Sequence, residues 1–318
     1  MHYNLELLSL NVNGLGDDFK RQSMFLWLKQ FKSGFIFLQE THSIRDKENR
    51  WKTDWGGDVF FSHGESNKKG VAILINNKLD YKIIEKIVDP EGRFLVLNIT
   101  VDDTNFLLIN FYAPTKNNEG EQIEYLDKLR SILENKLDQN IILGGDFNTV
   151  LNPEVDKKGG SQYNTPIRYT QKLETFMSDF ELCDIWRVKN PNSKKYTWRK
   201  RNPLIQCRLD FWLISEFLTG NVSNTSIDPS IKSDHSKITL SITGTQFNKR
   251  GPGFWKFNSE LLTDKDYVSI VKKVLLECDE KYGSLDDKNL KWDAIKCEIR
   301  GETVKYSKRK YKLIRRGI

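Results

Sequence analysis

The stretch Ile141-Ile142-Leu143-Gly144-Gly145-Asp146-Phe147-Asn148 sets the reading of this chain. Three consecutive aliphatic residues bounded by turn formers read as a short buried strand, and a carboxylate and a carboxamide follow it two positions apart. The same layout recurs on both sides. Leu7-Leu8-Ser9-Leu10 runs into Asn11-Val12-Asn13-Gly14, Phe35-Ile36-Phe37-Leu38 into Gln39-Glu40-Thr41, and Leu107 to Phe111 into Tyr112-Ala113-Pro114. Later, Arg208-Leu209-Asp210 opens an apolar run and Ser233-Asp234-His235-Ser236 precedes another. Any one block is compatible with a simple turn, because Asn, Asp and Gly supply the left-handed backbone that turns need. With the strands side by side, their ends gather Asn11, Glu40, Tyr112, Asp146, Asn148, Asp234 and His235 around one concave edge.

The rest of the first 244 residues supports that arrangement. Apolar runs at Leu5 to Leu10, Phe35 to Leu38, Val71 to Ile75, Phe94 to Ile99, Phe106 to Phe111, Ile141 to Leu143, Leu209 to Ile214 and Ile238 to Ile242 read as strands. Arg21 to Phe31, Ile123 to Lys136 and Gln171 to Phe180 place apolar residues at three- and four-residue spacing and read as helices. Strands without a regularly alternating helix point to two stacked sheets flanked by helices, an α+β fold with a central sandwich. Near Thr245 the pattern changes: Lys249-Arg250-Gly251-Pro252-Gly253 breaks regular structure, and Leu261 to Cys278 and Asn289 to Tyr306 are charged and helix-periodic. The expected division is 1–244 and 245–318, the second part a helical extension.

Composition bounds the function classes. In 318 residues, 38% are hydrophobic, 12% aromatic and 29% charged, which excludes a disordered or collagen-like chain. No apolar run approaches the roughly 18 residues of a membrane span, and residues 1–10 lack a signal peptide's basic start, so neither membrane nor secretion is expected. The net charge of +7 lies wholly in residues 300–318, where eight basic residues face Glu302 alone. Such a tail fits a nucleic-acid partner, while the body is neutral. Cys183, Cys207, Cys278 and Cys297 show no metal-finger spacing and read as reduced thiols.

The strand-end residues make a hard, oxygen-rich donor set of the kind Mg²⁺ takes, with Mn²⁺ as a substitute. Asp234-His235, with a further Asp to orient the imidazole, can shuttle a proton or stabilise charge on a reacting phosphate. Phosphodiester hydrolysis needs a positioned water, a base, a counter-charge for the phosphorane oxygens and help for the leaving oxygen. Each role has a candidate.

In order, SLNVNGL, FLQETH, NFYAPT, LGGDFNTV, RLDFWLIS and SDHS resemble the blocks of the endonuclease/exonuclease/phosphatase superfamily. The variant Asn11-Val12-Asn13-Gly14, the Tyr196-Thr197-Trp198 block and Gly251 to Asn258 are similar to the endonuclease part of LINE-type (non-LTR) retrotransposon polyproteins. The resemblance implies a four-layer α/β/β/α, DNase I-like sandwich and a metal-dependent endonuclease that nicks duplex DNA, leaving a 3′-hydroxyl that primes reverse transcription. It implies Glu40 as the main metal ligand with Asn11 and Asp234 nearby, Asp146 positioning or deprotonating the attacking water, and Asn11 and Asn148 steadying Asp146. It also implies that His235, oriented by Asp210, holds the scissile phosphate and that Tyr112 contacts the phosphate or leaving group. Asn13 stands where repair members carry Asp, which leaves one metal or two open. Residues beyond 245 resemble a linker toward a reverse transcriptase, so a truncated polyprotein, monomeric and nuclear, is expected.

Lys194, Lys195, Arg199, Lys200, Arg201 and Arg208 interleave with Tyr196 and Trp198. They read either as a solvated hairpin or as a phosphate-gripping loop that probes a groove. Trp51, Trp55, Trp186 and Trp212 read as core, and His2, His42 and His63 as surface. The tail, around Lys308-Arg309-Lys310 and Lys312, fits a solvated helix face, a nuclear-import signal or a nucleic-acid patch, RNA included. Two rival functions remain open: an apurinic-site repair enzyme or phosphatase of the same superfamily, and an inactive fragment that only binds nucleic acid.

Overall fold

The structure is a computed structural model and describes residues 3–65, 68–115, 117–134, 136, 139–160, 167–244, 257, 259–283 and 287–315. Two six-stranded sheets dominate it. The first runs from edge to edge as Val222–Asp228, Lys237–Gly244, Tyr3–Asn11, Phe35–Gln39, Val71–Ile75 and Asp58–Ser62. The second runs as Leu182–Asp184, Asp210–Ser215, Asn140–Asp146, Thr104–Tyr112, Phe94–Val101 and Lys82–Val88. Each sheet is antiparallel apart from one central parallel pair, Tyr3–Asn11 with Phe35–Gln39 and Thr104–Tyr112 with Asn140–Asp146.

Three apolar layers hold the sheets, which explains why the central strands read as unbroken apolar runs. Between the sheets, Leu5, Leu7, Phe35 and Phe37 meet Leu97, Phe106, Leu108 and Trp212. The alternate residues Leu8, Leu10, Ile36 and Leu38 pack outward with Phe25, Leu28, Trp51 and Trp55, from helices Asp18–Leu28 and Glu48–Trp55. On the far side, Leu107, Ile109, Ile141 and Leu143 meet Tyr125, Leu129, Leu173 and Phe176, from helices Glu119–Leu133 and Ile167–Asp179. This is the four-layer sandwich. The four tryptophans expected in the core are buried there.

The three anticipated helices begin three to four residues earlier than their apolar spacing indicates. Asp17 caps the first by accepting from Lys20 N, so its opening turn is polar and carries no periodic signal. Strands Lys82–Val88 and Val222–Asp228 have no such signal either. Both are edge strands with exposed positions, which need no apolar run.

Gly144 and Gly145 lie within strand Asn140–Asp146 and not in a turn. A Cβ on Gly144 would stand 2.2 Å from the Trp212 ring, and one on Gly145, whose φ is +146°, 1.8 Å from Phe111 O. Glycine is therefore required so that the strand reaches Asp146 beneath a large aromatic ring.

The chain divides into two compact units, 1–253 and 254–318. In the second, helices Lys265–Tyr282 and Lys288–Arg315 are joined by Tyr267 OH to Thr303 Oγ1 at 2.7 Å and by Lys281 to Glu298 at 2.7 Å. Of the Gly251 to Asn258 block only Phe257 is described, and the side chains of Lys308, Arg309, Lys310 and Lys312 lie outside the described residues. Among those residues, no helix is long and apolar enough to cross a membrane, and no disulfide joins the cysteines.

Candidate active site

The polar strand ends converge at one end of the sandwich. Asn11 and Gln39 are register partners in the first sheet; Tyr112 pairs with Asp146 and Asp146 with Asp210 in the second. Asn11 Nδ2 donates to Glu40 Oε1 and to Asp146 Oδ2, both at 2.9 Å, so one amide ties carboxylates from the two sheets. Tyr112 OH donates to the same Glu40 oxygen at 2.7 Å. Asn148 N donates to Asp146 Oδ1 at 2.9 Å, and Asn148 Nδ2 anchors to Ala113 O at 2.8 Å. His235 Nδ1 meets Asp210 Oδ2 at 2.9 Å, while its Nε2 stands 3.9 Å from Asp146 Oδ2. Because Asp210 is an acceptor, Nδ1 carries a proton.

The local backbone is bent to achieve this. Asn13, Glu40 and Asn148 adopt left-handed φ values of 46°, 51° and 50°. Asn tolerates that region, whereas Glu gives up roughly 1–2 kcal/mol there. Gly14 N to Glu40 O at 2.7 Å and Thr41 N to Gly70 O at 3.0 Å hold the Glu40 turn in place.

Burial and neighbouring charge reshape the acids and the base. Burial, reinforced by Asp210, raises the Asp146 carboxyl above the usual carboxylate range. Burial works against the charged form of His235, but the charge and hydrogen bond of Asp210 outweigh it and raise the imidazole, keeping it protonated at neutral pH. Tyr112 is pushed far above an ordinary phenol by burial and by Glu40 and Asp146, so it stays a donor.

These residues open onto a cavity of about 590 Å³ whose lining includes Glu40, Asp146, Asn148, Asp234 and His235. The donor set fits a divalent cation: among the described residues, Glu40 Oε1 takes the side-chain hydrogen bonds from Asn11 and Tyr112 and none reaches Oε2, and exposed Asp234 shares the cavity. The Asn11 oxygen accepts from Asn13 N at 3.0 Å and its NH₂ lies between the two carboxylates, beside the Glu40 expected as the main metal ligand. The buried group Asp146, Asp210 and His235 has ligand-capable atoms within 4.8 Å of one another, although the His235 proton occupies the contact with Asp210.

Several residues to which the sequence assigned no role of their own, Thr197, Ser233 and Lys20, complete the site together with Trp198. Thr197 Oγ1 accepts from Leu209 N at 2.9 Å and Asp210 N at 3.1 Å, fixing the start of the Asp210 strand. Ser233 Oγ donates to Asn11 O and accepts from His235 N. Asp234 is gripped twice, by Asn13 Nδ2 at 3.3 Å and Trp198 Nε1 at 2.9 Å, so Trp198 braces a site carboxylate as well as lining the cavity. Lys20 Nζ bonds Val12 O and Asn13 O, and burial lowers its pKa despite nearby Asp234 and Glu40. The backbone-mediated contacts of Thr197, Ser233 and Lys20 have no sequence signature.

The hairpin is present, its strands Trp198–Lys200 and Ile205–Cys207 paired and joined by a third, Lys157–Lys158. Lys194, Lys195, Lys200 and Arg201 are exposed, and exposed Arg199 reaches back to Ser236 Oγ at 3.0 Å. Arg208 is a correction. It is 1% exposed and held by Asp156 at 2.7 and 2.9 Å and by Asp184 at 2.6 Å, so it pins the base of the hairpin and is not part of its solvent-exposed basic surface. A desolvated guanidinium needs such partners. His63 and His42 are also partly buried: His63 bonds Ser43 Oγ and Glu48 Oε1, and His42 packs against Gly14. His2 lies outside the described residues.

A family model described as Endonuclease/Exonuclease/phosphatase family matches residues 8–235. A Xenopus laevis protein described as "Transposon TX1 uncharacterized 149 kDa protein" is 29% identical over 274 residues, covering 84% of this chain and 20% of that protein. A Bacillus subtilis (strain 168) exodeoxyribonuclease is 27% identical over 259 residues, covering 75% of this chain and 99% of its own length. The chain thus spans about a fifth of the transposon protein and nearly all of the exodeoxyribonuclease. Among solved structures, an AP endonuclease from Leishmania major superposes with a TM-score of 0.63 at 19% identity, over 76% of this chain and 88% of that one. One from Archaeoglobus fulgidus gives 0.59 at 18% identity, over 74% and 98%. At these identities the likeness is one of fold.

Proposed function

The chain belongs to the endonuclease/exonuclease/phosphatase family, and we propose that it is a metal-dependent DNA endonuclease that hydrolyses one strand of a duplex and leaves a 3′-hydroxyl. The observation that carries this reading is the amide of Asn11 tying Glu40 to Asp146, with the protonated His235–Asp210 pair 3.9 Å beyond. That arrangement joins a cation-binding carboxylate, a buried base and a fixed positive donor, the three things in-line phosphodiester hydrolysis asks for.

Each side chain then has one task. Asp146, held through both oxygens by Asn11 and Asn148, orients the attacking water and takes its proton. Asp210 keeps His235 charged, and the free Nε2–H donates to a nonbridging oxygen of the scissile phosphate as charge builds there. Tyr112, a donor at every physiological pH, steadies Glu40. Glu40 and Asp234 would hold Mg²⁺ or Mn²⁺, which supplies Lewis-acid charge at the phosphate and the leaving oxygen. Water adds to phosphorus as its proton passes to Asp146, the bond to the 3′ oxygen breaks, and that oxygen leaves with the electron pair and takes a proton from solvent to become the hydroxyl. Exposed Lys194, Lys195, Lys200 and Arg201 grip backbone phosphates without reading bases. The match to a transposon protein supports a role in a mobile element, and the blocks similar to LINE-type polyproteins favour opening a target site for reverse transcription.

Supercoiled plasmid incubated with the protein is expected to become nicked circles in Mg²⁺ and to stay supercoiled in EDTA, with ends that a DNA polymerase extends directly. Retained nicking by both Asp146→Ala and His235→Ala would sink this mechanism. A duplex oligonucleotide carrying one abasic site, cut far faster than its intact counterpart, would move the assignment to apurinic-site repair.

A further inference from the structure

The inward faces of three of the strands that lead to the site share a gradation along their length. Residue by alternate residue they read Leu5, Leu7, Ser9, Asn11; Phe35, Phe37, Gln39; and Phe106, Leu108, Asn110, Tyr112. Apolar core occupies the far end of these three and Asn11, Glu40 and Tyr112 stand at or just past the near end, and between them each of the three places one small polar residue or amide, where strands Asn140–Asp146 and Asp210–Ser215 carry Gly144 and Trp212. Those intermediate residues are joined. Gln39 Nε2 donates to Asn110 Oδ1 at 2.7 Å and to Ser9 Oγ at 3.0 Å, and Asn110 Nδ2 donates to Leu38 O at 3.0 Å and Ala72 O at 2.8 Å. All three side chains are buried, at 0–1% exposure.

Asn110 belongs to the second sheet, whereas Ser9, Gln39, Leu38 and Ala72 belong to the first. One carboxamide thus crosses the layer and makes three hydrogen bonds to two strands of the opposite sheet, Phe35–Gln39 and Val71–Ile75. The apolar packing around it is non-directional and tolerates small slides, but hydrogen bonds weaken steeply with misalignment. The site above straddles the same junction, with Asn11 and Glu40 from one sheet and Tyr112, Asp146 and Asp210 from the other. Gln39 Oε1 finds no partner among the described residues, so the tier carries a burial penalty that an apolar pair would avoid.

We propose that Ser9, Gln39 and Asn110 are positioning residues that set the alignment of the two sheets where the site spans them, and so fix the relation of Glu40 to Asp146. The proposal rests on the nuclease reading for its kinetic consequence, and on geometry alone for its effect at Glu40. Gln39→Met, Asn110→Leu and the double variant remove the tier with side chains of similar volume; Ser9→Ala is the mildest probe. Leu97→Ala, in the same layer but outside the tier, lowers stability without touching it.

The measurements are single-turnover nicking at saturating DNA, DNA affinity in EDTA, Mn²⁺ affinity by electron paramagnetic resonance, and melting temperature. The tier variants are expected to nick about 10–100-fold more slowly and to bind Mn²⁺ more weakly, with DNA affinity in EDTA unchanged. Leu97→Ala is expected to melt earlier yet nick at the parent rate once folded. Tier variants that melt earlier but keep the parent's nicking rate and Mn²⁺ affinity would overturn the proposal and leave the tier merely structural. If the parent nicks no DNA, the nuclease reading fails, and the tier is judged on Mn²⁺ alone: weaker binding by the variants upholds it, while equal binding, or none by the parent, overturns it.

Discussion

The floor of the cavity and the hairpin at its rim use charge in opposite ways. On the floor, Asp146, Asp210 and His235 are almost wholly buried, every one is tied to a neighbour, and burial and charge move Asp146 and His235 from their ordinary protonation behaviour. At the rim, Lys194, Lys195, Lys200 and Arg201 stand in solvent. Preorganised buried charge acts strongly on a reacting group because water cannot screen it, and it tolerates little change. Solvated charge contributes only small increments, which add up along a polyanion. Arg208 separates the regions: it adjoins the hairpin in sequence but behaves like the floor, desolvated and locked by two carboxylates.

The contrast can be broken at both ends. Asp146→Ala or His235→Ala should slow nicking by about 10³-fold while leaving DNA affinity in EDTA intact, as single-turnover kinetics beside gel shifts would show; equal losses in both would mean that the floor serves binding. Arg208→Ala takes the ion-pair partner from Asp184 and leaves Asp156 with Arg187 alone, and should cost about 3–5 kcal/mol of folding stability, read from the urea midpoint. A stable Arg208→Ala protein with weakened DNA binding would return Arg208 to the rim. Glu40→Gln should raise the Mg²⁺ concentration for half-maximal nicking by about tenfold or more, found by titrating the metal at fixed DNA. The smallest effect belongs to Lys194→Ala with Lys195→Ala: nicking at saturating DNA unchanged, and the slope of log affinity against log salt shallower by about 0.9 for each phosphate no longer neutralised.

The floor is far more legible in the sequence than its supports. Asn11, Glu40, Tyr112 and Asp146 stand out because each ends or follows an apolar run, and His235 because it stands just before one; short strands leave few other places for a polar residue to be. Thr197, Ser233 and Lys20 give no signal, since they act through backbone atoms of segments distant in the chain, and a hydroxyl or amine with that duty looks like any surface residue. Trp198 is legible only as part of the hairpin, because the partner of its indole N–H is Asp234, 36 positions away. Arg208 misleads for the complementary reason: among Lys and Arg neighbours its charge reads as exposed until Asp156 and Asp184 are brought to it.

By itself, the sequence determined the layers, the strand-end placement of the reactive groups and the hard-oxygen chemistry they share. All of these follow from local periodicity and residue type, which are written in consecutive positions. Only the tertiary structure decided that Asn11 ties Glu40 to Asp146, that Gly144 and Gly145 continue a strand beneath Trp212, and that Ser9, Gln39 and Asn110 join across the sheets. Each of those depends on which groups meet across long separations in the chain. The direction of an amide or the protonation of a buried acid is set by its neighbours in space.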